Sequence, residues 1–127
     1  GRPRRCGWLD LPALKYAQRI NGANGLIMTK IDVLVGLGPI KVATSYESGG
    51  MKDLSFSEAL ELYEQGRAVQ VQYKEFDAVH AMPETIKHRH DLPASFQKML
   101  SFIEEKLETP IVMLSFGPKR GQEISFS

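Results

Sequence analysis

Gly25-Leu26-Ile27-Met28-Thr29-Lys30-Ile31-Asp32 is the stretch whose reading decides the fold. Leu26 to Thr29 are mostly apolar and follow the glycine-bearing turn over 21–25, which predicts a short buried strand. Just past its end come a cation, Lys30, and a carboxylate, Asp32. In open α/β sheets the loops beyond the carboxyl ends of strands are where ligands bind. A Thr-Lys-x-Asp loop in that place suits guanine. The Asp32 carboxylate can accept from both the ring N1–H and the exocyclic amine, while the methylene stem of Lys30 covers one face of the base. Adenine offers a lone pair where guanine offers N1–H, so the wrong base leaves a buried group unpaired or repelled. The plain alternative is a solvated Lys30–Asp32 pair on the surface.

Working outward, residues 1–8 read as a basic loop and Asp10 as the N-cap of a helix over 11–21. Pro12 sits in its first turn and Gly22 stops it. Ala13, Tyr16, Ala17 and Ile20 form its predicted inner face. Val33 to Leu37 is a turn region packed against the sheet, and Ile40 to Tyr46 a second strand. Ser55-Phe56-Ser57-Glu58 has capping-box spacing, with Leu54 and Ala59 as the staple of a helix to Gln65. Val69 to Tyr73 alternates as a half-buried strand, and 74–90 dissolves into a polar loop. Asp91-Leu92-Pro93-Ala94 repeats the opening at Asp10. Its helix carries Leu92, Phe96, Met99, Leu100, Ile103 and Leu107 on one stripe to about Glu108. Ile111 to Leu114 and Glu123 to Phe126 are the last strands. The pattern predicts an α/β fold with a mixed, largely parallel sheet and flanking helices. If Leu26–Thr29 and Ile111–Leu114 are parallel neighbours, the Lys30–Asp32 loop and the Ser115-Phe116-Gly117-Pro118 loop share an edge. One would hold the base edge by a carboxylate, the other by backbone N–H groups on the 6-oxygen.

At 127 residues and 43% hydrophobic content, the chain suits one domain with its own core. A formal charge of +1 is no footprint for nucleic-acid or membrane binding. No apolar run is long enough to span a bilayer. A single cysteine, Cys6, gives neither an internal disulfide nor a metal cluster, and a cytoplasmic setting is expected. The opening on Gly1-Arg2-Pro3-Arg4-Arg5, with no initiator Met, predicts a piece of something longer.

Those three arginines suit an anionic substrate, because guanidinium forks match carboxylates and phosphates bidentately. A solvated basic turn and a minor-groove hook are the competing readings. His80, His88 and His90 lie in polar sequence without a cysteine and read as surface residues rather than metal ligands. Asp53, Glu58, Glu61 and Glu64, like Glu104 and Glu105, read as solvated faces. No G-x-x-x-x-G-K-[ST] phosphate loop occurs.

Three runs in this order carry a family resemblance: 1–10 (Gly-Arg-Pro-Arg-Arg-Cys-Gly-Trp-Leu-Asp), Thr29-Lys30-Ile31-Asp32-Val33-Leu34, and Ser115-Phe116-Gly117-Pro118. Together they resemble the C-terminal third of adenylosuccinate synthetase. The likeness is thinnest from Gly49 to His90, where the family has a Leu-Pro-Gly-Trp run and this chain Tyr73-Lys74-Glu75-Phe76-Asp77. The resemblance implies that residues 1–127 are the C-terminal part of a P-loop-like, GTP-dependent ligase joining IMP and L-aspartate. It implies that GTP phosphorylates the 6-oxygen of IMP and that the aspartate amine displaces the phosphate. Gly1, Arg2, Pro3 and Arg4 then match the IMP/aspartate loop, Arg2 at IMP and the amino-acid carboxylate, Arg4 reaching the GTP phosphates and aspartate. Lys30, Ile31 and Asp32 match one guanine-binding segment, and Ser115, Phe116, Gly117 and Pro118 the other. Catalytic residues, the phosphate loop and the Mg²⁺ site are expected outside this chain, which alone is expected to be inactive. A homodimer is implied for the complete enzyme. A stand-alone guanine-nucleotide module and a basic-loop interaction domain are the alternatives.

Overall fold

A computed structural model describes residues 8–117 and 119–126. In chain order the elements are β1 (Leu9–Asp10), α1 (Leu11–Asn21), β2 (Leu26–Met28), β3 (Ile40–Ser48), β4 (Met51–Leu54), α2 (Phe56–Glu64), β5 (Gln70–Phe76), α3 (Ala94–Leu107), β6 (Ile111–Ser115) and β7 (Glu123–Ser125). Short 3-10 turns lie at Ile31–Leu34 and Arg89–Asp91. Two compact units result, one from the residues up to 20 with 41–74, the other from 21–40 with 75–127.

The first unit is built on β3, which pairs with β1 in parallel, with β4 antiparallel, and with β5. Asp10 ends β1 and caps α1, its Oδ1 accepting from Ala13 N at 3.1 Å, while the Tyr46 hydroxyl donates to its Oδ2. α1 runs over the predicted span, and of its predicted inner face Ala13 and Ala17 are part-buried while Tyr16 and Ile20 are not. Tyr16 and Ile20 are 43% and 65% exposed and Leu11 is buried. The covered side also takes in Leu11, Leu14 and Gln18, an i, i+3, i+7 row that the polar Gln18 disguises. The β3–β4 hairpin, absent from the sequence expectation, turns on Gly49 and Gly50 at φ +53° and +86°. Positive φ at both central residues is what a two-residue turn matching strand twist requires. The hairpin puts Asp53 on β4 rather than on a helix face.

Ser55 then caps α2 by a complete capping box: Glu58 N to Ser55 Oγ at 3.2 Å, Ser55 N to Glu58 Oε1 at 3.1 Å. Those bonds hold the Glu58 carboxyl below its usual range, first through the Ser55 backbone N–H and then its hydroxyl. Leu54 and Ala59 bury together with Tyr46, as the staple predicts. β5 is longer than expected and exposed from Gln70 to Glu75, not half-buried.

In the second unit β6 lies between β2, parallel, and β7, antiparallel. β2 is exposed at Ile27 (63%), so only alternate side chains turn inward. α3 buries Phe96, Met99, Leu100, Ile103 and Leu107, the expected stripe. Each such side chain contributes about 1.5–3 kcal/mol of transfer free energy, which makes α3 the main anchor of this unit. The helix starts after Pro93, not at Leu92 as the repeat of Asp-Leu-Pro-Ala implied. Asp91 caps locally instead, its Oδ2 accepting from Lys87 N and His88 N, each at 3.0 Å. The segment read as a polar loop supplies core residues Phe76, Val79 and Ile86. Glu104 is also not a solvated residue. It accepts from Arg89 Nη2 at 2.5 Å and from Ile111 N at 2.8 Å, tying α3 to the entry of β6.

Candidate functional site

The candidate site sits at the carboxyl ends of β2 and β6. Their register, Ile27 opposite Met113 and Met28 opposite Leu114, brings both strands out on one edge of the same sheet. The loop after β2 turns sharply at Lys30, a non-glycine residue at φ +58°, ψ +39°. The left-handed region costs a side chain of this kind roughly 1–2 kcal/mol. Ile31, only 2% exposed, repays the turn by burial and fixes the loop to the core. The chain winds on as a 3-10 turn, Val33 N donating to Lys30 O at 3.2 Å and Val35 N to Asp32 O at 3.1 Å. Gly36 N to Val79 O at 2.8 Å secures its far end. Val33 and Leu37, expected against the sheet, are instead 60% and 59% exposed.

Asp32 is the telling residue. Its Oδ1 is enclosed and has no hydrogen-bond partner among the described residues. Lys30 is exposed and forms no ion pair with it. The surface-pair alternative therefore does not describe this loop. An enclosed carboxylate oxygen without a donor is costly, since buried acceptors are almost always paired. That oxygen can therefore take a donor from outside the described residues.

The second loop leaves β6 at Ser115, whose hydroxyl donates to Gly117 O at 3.4 Å. Phe116 N donates to Gln122 O at 2.8 Å, closing the loop against the start of β7. Lys30, Ile31 and Asp32, and Ser115 at the end of β6 with Phe116 and Gly117 beyond it, thus lie at one sheet edge. Gly1, Arg2, Pro3, Arg4 and Pro118 lie outside the described residues. His88 and His90 stack with ring centroids 5.1 Å apart, and His90 stands 3.6 Å from Asp91. No group of three His, Cys, Asp or Glu side chains able to hold a metal occurs among the described residues. Sequence reading overlooked Gln122, because nothing in its residue type marks it.

Two strand-end loops on one edge of a sheet make this an α/β protein with the kind of edge at which open α/β sheets take their ligands. The chain belongs to the adenylosuccinate synthetase family, whose sequence profile matches residues 1–124. It is 43% identical over 124 residues to adenylosuccinate synthetase of Fusobacterium nucleatum, and 42% identical over 126 to that of Salinibacter ruber. Each match covers 98% of this chain and 28% of the relative. A fully ligated adenylosuccinate synthetase from Plasmodium falciparum superposes with a TM-score of 0.85 at 32% identity, over 99% of this chain and 30% of that one. The chain therefore spans under a third of the length of these relatives. No helix among the described residues is long and apolar enough to cross a membrane.

Proposed function

We propose that this chain is the C-terminal part of an adenylosuccinate synthetase and supplies its guanine-recognition edge. The activity is the GTP-dependent joining of IMP and L-aspartate, with Mg²⁺ and the phosphate-binding residues contributed from outside these 127 residues. The observation that carries the reading is the enclosed, unpartnered Oδ1 of Asp32, on a loop at the same sheet edge as Gly117. Asp32 accepts from N1–H and the exocyclic amine, and the stem of Lys30 lies along the base. Ile31 holds the loop to the core, and the segment Ser115, Phe116, Gly117 and Pro118 meets the 6-oxygen. Gly1, Arg2, Pro3 and Arg4 bind the anionic groups of IMP and aspartate, with Arg4 also reaching the GTP phosphates. A cytoplasmic homodimer is the expected form of the complete enzyme.

The test uses a chimera in which this chain replaces the matching stretch of the Fusobacterium nucleatum synthetase. Turnover is measured with GTP and with ITP, which lacks the exocyclic amine. Removing that donor costs Asp32 one charge-assisted hydrogen bond, so kcat/KM for ITP falls about ten- to a hundredfold below GTP. Equal use of the two nucleotides contradicts the reading.

A further inference from the structure

The loop after β6 is closed by one residue, Gln122, that the guanine reading does not use. Phe116 N donates to Gln122 O at 2.8 Å, and Gln122 N donates to Lys119 O at 3.1 Å. The Gln122 carboxamide folds back into the loop, where its Oε1 accepts from Lys119 N at 2.9 Å. In that position it covers Gly117. A Cβ at 117 would overlap Oε1 and Cδ of Gln122 and lie 2.7 Å from Nε2. Gly117 is not among the glycines at positive φ, and a side chain there would have to push the flexible end of Gln122 aside. The Ser115 hydroxyl meanwhile ties down the Gly117 carbonyl. The Gly117 N–H has no acceptor among the described residues.

We propose that Gln122 is a positioning residue for nucleotide specificity. By clasping Lys119 N and lying on Gly117, it holds the Gly117 N–H ready for the 6-oxo group of a purine. This rests on the reading of the site as a guanine edge. Preorganising a donor lowers the ordering cost of binding and leaves the chemical step untouched. The effect therefore belongs in the KM for the purine triphosphate and not in kcat.

The chimera described above tests it, with Gln122→Met, which keeps length but lacks the acceptor, and Gln122→Glu, which keeps an acceptor for Lys119 N. Gln122→Met is expected to raise the KM for GTP about three- to tenfold, the loss of roughly one hydrogen bond, with kcat and the KM for IMP unchanged. Gln122→Glu is expected to stay within about twofold of the parent on the same scale. Gly117→Ala also raises the KM for GTP, and adding it to Gln122→Met costs less than the product of the two, because both remove one contact. A Gln122→Met enzyme with the parent's KM for GTP overturns the proposal. So does one that loses kcat and its KM for IMP along with GTP, or a Gln122→Glu enzyme as impaired as Gln122→Met. Asp32→Asn separates the two levels. If it leaves the GTP/XTP ratio unmoved, the base reading fails and the proposal with it. If the ratio moves while Gln122→Met is silent, the clasp alone fails.

Discussion

At the scale of single residues, Asp10 and Asp32 show how differently two carboxylates are used. Asp10 is fully engaged, capping α1 through one oxygen and taking the Tyr46 hydroxyl on the other. Burial, and then the Asp10 bond, push the Tyr46 hydroxyl well above its ordinary pKa. Tyr46→Phe leaves Asp10 Oδ2 without its donor and should cost about 1–2 kcal/mol, read as a lower urea midpoint at unchanged m-value. A midpoint equal to the parent's would show that water replaces the hydroxyl. Asp32 has no such partner at Oδ1, and that contrast is chemical information the sequence could hold only in part. The Lys30–Asp32 spacing stands in the sequence itself, whereas the enclosure of Oδ1 does not. The left-handed turn at Lys30 was not legible either, because a lysine gives no sign of positive φ.

At the scale of elements, patterns that encode local chemistry read through cleanly. The capping box at Ser55 and Glu58 and the stripe of α3 both formed as spaced. Ser55→Ala should cost about 1 kcal/mol of stability, checked by thermal unfolding; an unchanged Tm would mean the first turn of α2 is held by Leu54 and Ala59 alone. What the sequence hid were pairings between distant segments. Exposed β5 carries strand alternation that looks half-buried, and Glu104 sits among helix residues whose other charges face water. The Arg89 bond, set against burial and helped by Ile111 N, holds the Glu104 carboxyl below its ordinary value of 4.5. Folded Glu104 then binds fewer protons than unfolded Glu104 in the acid range. Its stabilisation is complete above the unfolded pKa and is lost as pH falls through the lower folded one. Glu104→Gln should therefore reduce stability at neutral pH and flatten the acid limb of the stability profile below about pH 4.5. Parallel acid limbs for parent and variant would contradict this role.

At the scale of the whole molecule, the family match and the parallel β2–β6 pair describe a piece of an adenylosuccinate synthetase that spans 28% of its curated relatives and carries two loops on one sheet edge. The resemblance in three short runs pointed to the family, and parallel pairing made an edge of two loops distant in sequence. Separation into two units was illegible, because the chain crosses between them inside continuous elements such as β3 and β5. With no Walker-type phosphate loop in its sequence, the chain on its own should give no turnover with saturating IMP, GTP, Mg²⁺ and aspartate. Product above background from a homogeneous sample would contradict the division of labour proposed here. The most direct test of the central claim is Asp32→Asn in the chimera, assayed with GTP and XTP. An asparagine amide keeps one acceptor for N1–H but turns a donor toward the exocyclic amine of guanine, whereas xanthine offers a carbonyl there. GTP should lose roughly 2–4 kcal/mol, about thirty- to a thousandfold in kcat/KM, while XTP gains on it. A GTP/XTP ratio that stays within about 1 kcal/mol of the parent's, as for an exposed Lys30–Asp32 pair, would show that this loop does not read the base.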